Sequence, residues 1–284
     1  MKKLQTLLLA ITFLLASFSL TANAADAPPP GQIGVAPSML EVNVGSKPVS
    51  ESLRLFNLKN TTTKVKVEVY NWTLDENNEV KLLPPDEQSL DQWMLVNPLS
   101  FTLEPGKSQV VRLSIRPPVK PAPGEHRAII YFTEEPVAAI ESEEAKPVEV
   151  LFKLGVGVYA YADDVQRASS IQTIGLDNKL LTLTTSIANK GNVHTRLKGN
   201  YSIWKKESFP GMANVEKSIK EAENNKSVKG LVAAGKLNQT PVLPGNVRSI
   251  TTRLPAIAEK GNYIVAISGT LDDENVEKFF TLSR

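Results

Sequence analysis

The sequence predicts an all-β protein, two β-sandwich domains in tandem behind a cleaved signal peptide. Three observations predict it: an export signal at the N-terminus, short alternating apolar runs, and an internal resemblance between the two halves. The first concerns compartment. Met1-Lys2-Lys3 precedes an apolar run from Leu7 to Leu20, and small residues follow at Ala22 and Ala24. A basic start, a short apolar core and small residues describe a secretory signal peptide over 1–24, with cleavage after Ala24. The run is short for a bilayer span of about 20 residues, so cleavage is expected rather than a retained anchor. Residues 25–32 then read as an N-terminal linker.

The second observation is pattern. "ESLRLFNL", "KVKVEVYNW", "SQVVRLSIRP", "HRAIIYF", "LLTLTTSIAN", "VRSITTRLP" and "NYIVAISG" alternate apolar with polar residues. Pro, Gly and Asn separate them, the signature of strands joined by turns. Strands at this spacing suggest sandwiches.

The third is duplication. Asn57, Asn60 and Trp72 in "NLKNTTTKVKVEVYNW" share their spacing with Asn189, Asn192 and Trp204 in "NKGNVHTRLKGNYSIW". Pro105-Gly106 and Pro244-Gly245 each suit a tight turn, with proline presetting φ and glycine accepting φ > 0. Gly124 and Gly261 each precede another apolar strand. The first domain is placed at 33–163 and the second at 164–284, with the boundary near "YADDVQRASS". The second carries an insert around 208–236, where Val215, Ile219 and Ala222 give a weak helical stripe. It reads as a solvated loop or short surface helix.

Composition excludes several functions. The chain has 32 basic and 30 acidic residues, a net charge of +2, and gives no reason to expect nucleic acid. It has no cysteine, so an exported fold must be held by core packing and a thiol nucleophile is excluded. His126 and His194 lack a second ligand at metal spacing and read as surface strand residues. Gly155-x-Gly157 lacks the third glycine of a dinucleotide fingerprint and reads as a close backbone approach or bend. The carboxylates of "TEEPVAAIESEEAKP", Thr133 to Pro147, suit a mobile acidic loop better than an acid/base pair. Trp72, Trp93 and Trp204 read as core, and Lys64, Lys66, Arg112 and Arg116 as a solvated strand face. No catalytic residues, metal or cofactor are expected. The protein reads as a non-enzyme.

One strand stands apart. "KPVEVLFKLGVGVYAYADD" places Val148, Val150, Phe152, Leu154, Val156, Val158 and Ala160 on one face of a single extended chain. That is about 40 Å of strand, against a usual length of about 5–6 residues. An extended strand of this kind can fill the groove of an incomplete partner sandwich, supplying ladder hydrogen bonds and alternate side chains. On the strand alone, the simpler reading is that it buries its stripe in its own sandwich and runs on into the linker.

Several stretches, in order, resemble the PapD-like periplasmic pilus chaperones. They are "IGVAPSMLEVNVG", "LRLFNLKNTTTKVKVEVYNW", "WMLVNPLSFTLEPGKSQVVRLSIRPP", "PGEHRAIIYF" and "VEVLFKLGVGVY", covering about Ile33 to Asp163. The resemblance implies two immunoglobulin-like sandwiches set at an angle. It also implies a periplasmic chaperone for fimbrium biogenesis, binding pilin-like or other secreted β-rich subunits by strand addition, with an outer-membrane usher as a possible further partner. Val148, Val150, Phe152, Leu154 and Val156 would be the residues lent to the subunit. The family holds a subunit's C-terminal carboxylate with an Arg and a Lys. Here those positions fall on Leu40 and Gly157, which leaves the anchor unassigned and Lys153 a weak substitute. The alternative is an exported structural or adhesive sandwich protein with no chaperone cycle.

Overall fold

Pro37 divides the first extended segment between two sheets. Strand β1 (Ile33–Ala36) pairs antiparallel with β3 (Val49–Asn57), whereas β2 (Met39–Val44) pairs parallel with β10 (Lys153–Ala162). A residue without an N–H interrupts the ladder where the chain changes sheet. The structure, a computed structural model, describes residues 33–135 and 151–284. The expected signal peptide and linker, and the stripe residues Val148 and Val150, lie outside the described residues.

The first sandwich joins β1 and β3 to β8 (Ser108–Ile115) and β6 (Met94–Asn97) in one sheet. The facing sheet runs β2, β10, β9 (Gly124–Glu135) and β4 (Thr63–Leu74). The far edge of β4 carries β7 (Ser100–Leu103) at one end and β5 (Val80–Leu83) at the other. Between the sheets lie Leu53, Leu55, Leu113, Ile115, Ile130, Phe132, Val156 and Val158, all buried. The single-turn helix α1 (Leu90–Trp93) closes one end with Leu90 and Trp93.

The second sandwich packs β11 (Ser169–Asp177), β12 (Thr182–Asn189) and β15 (Val247–Arg253) against a four-stranded sheet. That sheet is ordered β14 (Leu231–Lys236), β13 (Lys198–Lys205), β16 (Asn262–Leu271) and β17 (Glu274–Ser283). Leu183, Ile187, Ile203, Val265 and Ile267 form its core. The architecture is all-β, two immunoglobulin-like sandwiches in tandem.

The two halves repeat one another in detail. Asn57 Nδ2 donates to Thr61 O and Leu103 O at 2.9 Å each, and its Oδ1 accepts from the Lys59 N–H at 3.0 Å. Asn189 Nδ2 donates to Val193 O and Val242 O at 2.8 Å each, and its Oδ1 accepts from the Gly191 N–H at 2.9 Å. The turn glycines Gly106 and Gly245, at φ of +69° and +74°, each donate N–H to the carbonyl of the corresponding asparagine. Positive φ is the conformation that glycine adopts without a Cβ penalty.

Trp72 and Trp204 are both buried, but neither belongs to the main core of its own sandwich. Trp72 lies with Leu74, Ile129, Tyr159 and Leu243, the last contributed by the second sandwich. Trp204 lies with Val215, Ile219 and Ile264, beneath the helix of the insert. That helix, α2 (Met212–Glu223), buries Val215 and Ile219. One tryptophan position is thus covered by a neighbouring domain in the first copy and by an inserted helix in the second.

Two expectations need correction. His126 and His194 are not surface residues. The His126 ring packs tilted against Trp93, centroids 4.4 Å apart, with its ring nitrogens 2.8 Å from Gln88 O and 2.9 Å from Ala122 O. Whichever ring nitrogen carries a proton has a backbone carbonyl to donate to, which makes the burial tolerable. Nor does a loop begin at Thr133. Thr133, Glu134 and Glu135 complete β9, and Glu134 is buried.

Candidate functional site

The candidate site is β10 and the cleft into which it leads. The sequence predicts a strand from Val148 to Ala160. Strand β10 starts at Lys153, where its pairing with Thr133 of β9 begins, and it reaches Ala162. Across these ten residues β9 covers one edge. On the other edge β2 pairs only with Gly157–Ala162. Among the described residues, Lys153–Val156 therefore have no strand on their outer edge. That is about 13 Å of open ladder. Unpaired N–H and C=O groups in a row form a template for another strand.

The stripe is graded along the strand. Val156, Val158 and Ala160 are buried inside the first sandwich. Leu154 is half-buried and packs against that core from its margin, and Phe152 is half-buried just before the strand. The opposite face holds Lys153, Gly155, Gly157 and Tyr159. A Cβ at Gly155 would lie 3.0 Å from Ile129 Cδ1 and 3.1 Å from Tyr131 Cε1, and one at Gly157 would lie 3.1 Å from Tyr159 Cε2. The two glycines make room for side chains that fold across the strand.

Downstream, β10 forms one wall of a cleft of about 500 Å³ between the sandwiches. Met39, Glu41, Gly157 and Tyr159 line it from the first sandwich, and Arg167, His194, Arg196, Lys198 and Asp272 from the second. The two positions where the family resemblance would place basic residues divide. Leu40 points into its own core, whereas Gly157 lines the cleft. Lys153 does not reach it; its ammonium sits 4.2 Å from the Tyr131 ring centroid. The cationic groups of the cleft come from the second sandwich. Arg196 donates to Tyr159 Oη at 2.9 Å and to Gln239 O at 2.7 Å, beside Met39 Sδ at 3.4 Å. No motif or spacing in the sequence singles out Arg196, because only the packing of two domains brings it to Tyr159.

Buried contacts fix the walls of the cleft. Glu125 accepts from the His194 N–H at 2.8 Å and is bonded to His194 Nδ1, while its other oxygen receives Arg127 Nη1 at 3.0 Å. Burial would push the Glu125 carboxyl up; the hydrogen bonds and attraction of His194, with Arg127, outweigh it and hold the group below its ordinary value. The His194 ring packs tilted against Tyr159, centroids 4.1 Å apart. Across the joint, Arg248 donates to the carbonyls of Leu74 and Asp75, and Asn78 Nδ2 donates to Ser249 O at 3.3 Å. Gly124, at φ +110°, brings its backbone so close that a Cβ would stand 2.6 Å from the Asn192 carbonyl oxygen. Among the described residues there is no cluster of three or more metal-ligating side chains, and no helix long and apolar enough to cross a membrane.

No family model matches the sequence, and no curated protein matches it. Solved structures of fimbrial chaperones are similar in outline. The class 5 fimbriae chaperone CfaA is 13% identical with a TM-score of 0.44, over 89% of this chain and 100% of that one. The E. coli chaperone DraB is 16% identical with a TM-score of 0.43, over 89% and 99%. A structure of the Salmonella enterica SafA pilin in complex with the SafB chaperone gives 11% identity and a TM-score of 0.44, over 91% and 99%.

Proposed function

We propose that this protein is a non-enzymatic periplasmic chaperone that binds secreted, pilin-like β-rich subunits by strand addition along β10. The observation that carries the reading is the edge at Lys153–Val156, unpaired among the described residues, which includes a half-buried Leu154 and follows a half-buried Phe152. An incomplete sandwich exposes both a core groove and an unpaired edge, and a strand laid there answers both. Val148, Val150, Phe152 and Leu154 are the side chains assigned to the partner's groove. Val156 is committed to its own core, so it would offer backbone alone. Fully burying such a side chain from water is worth about 1.5–3 kcal/mol, of which Phe152 and Leu154, already half-buried, would gain a part.

A subunit carboxylate in the cleft would meet Arg196 or Lys198 rather than residues at Leu40 and Gly157. An unpaired buried carboxylate is costly, which favours a cation supplied by the second sandwich. The N-terminal segment that reads as an export signal supports the periplasm, where an usher would be a further partner.

Affinity purification of the chain from the periplasm tests the reading. The expected result is a co-purifying β-rich subunit that is degraded or aggregated when this protein is deleted. Recovery of the protein alone, with normal surface fibres in the deletion strain, would overturn it in favour of an exported structural or adhesive protein.

A further inference from the structure

Glu134 and Phe152 face each other at the end of the β9–β10 ladder. In an antiparallel pair of this type two residues exchange both backbone hydrogen bonds. Here only one is made in that way, from the Glu134 N–H to Phe152 O at 2.9 Å. The return bond, from the Phe152 N–H, goes instead to Glu134 Oε2 at 2.9 Å. The side chain has taken the place of a ladder carbonyl, and regular pairing stops at Thr133 and Lys153.

The carboxylate is held from other parts of the chain. Lys59, in the turn after β3, places Nζ at 2.8 and 3.1 Å from its two oxygens. Thr63, the first residue of β4, donates its hydroxyl. Lys59 Nζ also lies 5.6 Å from the centroid of the Phe152 ring. A buried carboxylate is tolerated only when paired and hydrogen-bonded, and this one has both. Burial would raise its pKa, but the bonds from Lys59, Thr63 and the Phe152 N–H, with the charge of Lys59, bring it below the ordinary value.

We propose that Glu134 is a positioning residue for the open edge of β10. It ties the backbone of Phe152 at the residue where the strand leaves the ladder, and so fixes the register in which that edge meets a partner strand. It touches no partner itself; it acts through Phe152. The Phe152 N–H points to β9, so by strand alternation the backbone groups of Lys153 and Gly155 point to the open edge. The inference rests on the strand-addition reading.

The test compares two double variants of the full chain, both free of a lone buried ion. Lys59→Met with Glu134→Gln keeps an acceptor for the Phe152 N–H, and Lys59→Met with Glu134→Leu removes it. Amide exchange of Phe152 should accelerate at least tenfold in the leucine variant relative to the glutamine variant, with Val158 and Ala160 unchanged. The probe for the edge is an acetylated hexapeptide of alternating valine and threonine, followed by its shifts at the Lys153 and Gly155 amides. The glutamine variant should bind it within about threefold of the parent, and the leucine variant at least tenfold more weakly. Equal binding by both variants, or faster exchange spread through Val158 and Ala160, overturns the role of Glu134. Absence of any shift in the parent overturns strand addition itself, and this inference with it.

Discussion

Asn189 repeats the hydrogen bonding of Asn57. Each buried amide spans a turn and reaches the carbonyl of a distant segment, Leu103 of β7 for Asn57 and Val242 for Asn189, and each backbone carbonyl receives the N–H of a turn glycine. Asn57→Ala and Asn189→Ala should therefore have similar effects. Each leaves two carbonyls and one N–H without the side chain that satisfied them, at about 1–3 kcal/mol for each group that water does not reach. Urea unfolding of the two variants measures it. A near-neutral result at either site would show that solvent replaces the amide.

Aspartate substitutions along the stripe should separate donation from self-burial. Val156→Asp places an unpaired carboxylate in a sealed core and should cost more than about 3 kcal/mol or prevent folding. Phe152→Asp should leave the thermal midpoint close to that of the parent while abolishing recovery of a bound subunit. Leu154→Asp should fall between. Phe152→Asp destabilising the protein as much as Val156→Asp would place Phe152 in the protein's own core.

Gly124→Ala should weaken the joint between the sandwiches. The new Cβ would overlap the Asn192 carbonyl, and φ of +110° is unfavourable for any L side chain. Strain of this kind costs on the order of 1–3 kcal/mol before the clash is counted. Solution scattering should report a broadened angle between the domains, with each sandwich still folded by circular dichroism.

Acid should destabilise the fold through Glu125 and Glu134. Both carboxyls are held below their ordinary values. A depressed folded-state pKa means that the unfolded chain binds protons first. The stabilisation is then complete above the unfolded value of about 4.3 and is lost as pH falls through the folded one. Stability measured from pH 6 down to pH 3 should fall less steeply in Glu125→Gln, which starts lower. Parallel curves would assign the acid sensitivity to other groups.

Much of the fold was legible because sandwich strands carry their burial in their alternation. "KVKVEVYNW" and "HRAIIYF" became β4 and β9, and the exposed Lys64, Lys66, Arg112 and Arg116 stayed on the polar side. Strand β17 was harder to read, since the alternation in "ENVEKFFTLS" is interrupted by adjacent phenylalanines. His194 and Glu134 are buried against expectation for a common reason. A polar residue is solvated by default, and only long-range partners such as Glu125 or Lys59 make its burial tolerable.

By itself the sequence determined the periodicities: two sets of alternating strands, paired turn asparagines and glycines, and one long apolar stripe. These are local properties, since the pleat assigns every second side chain to one face whatever lies beyond it. Only the tertiary structure decided where along β10 that stripe stops being core. The coverage of Gly157–Ala162 by β2, which among the described residues stops short of Lys153–Val156, and the arrival of Arg196 beside Tyr159 rest on contacts between distant segments. No spacing along the chain encodes them, because they depend on how two closed sandwiches meet.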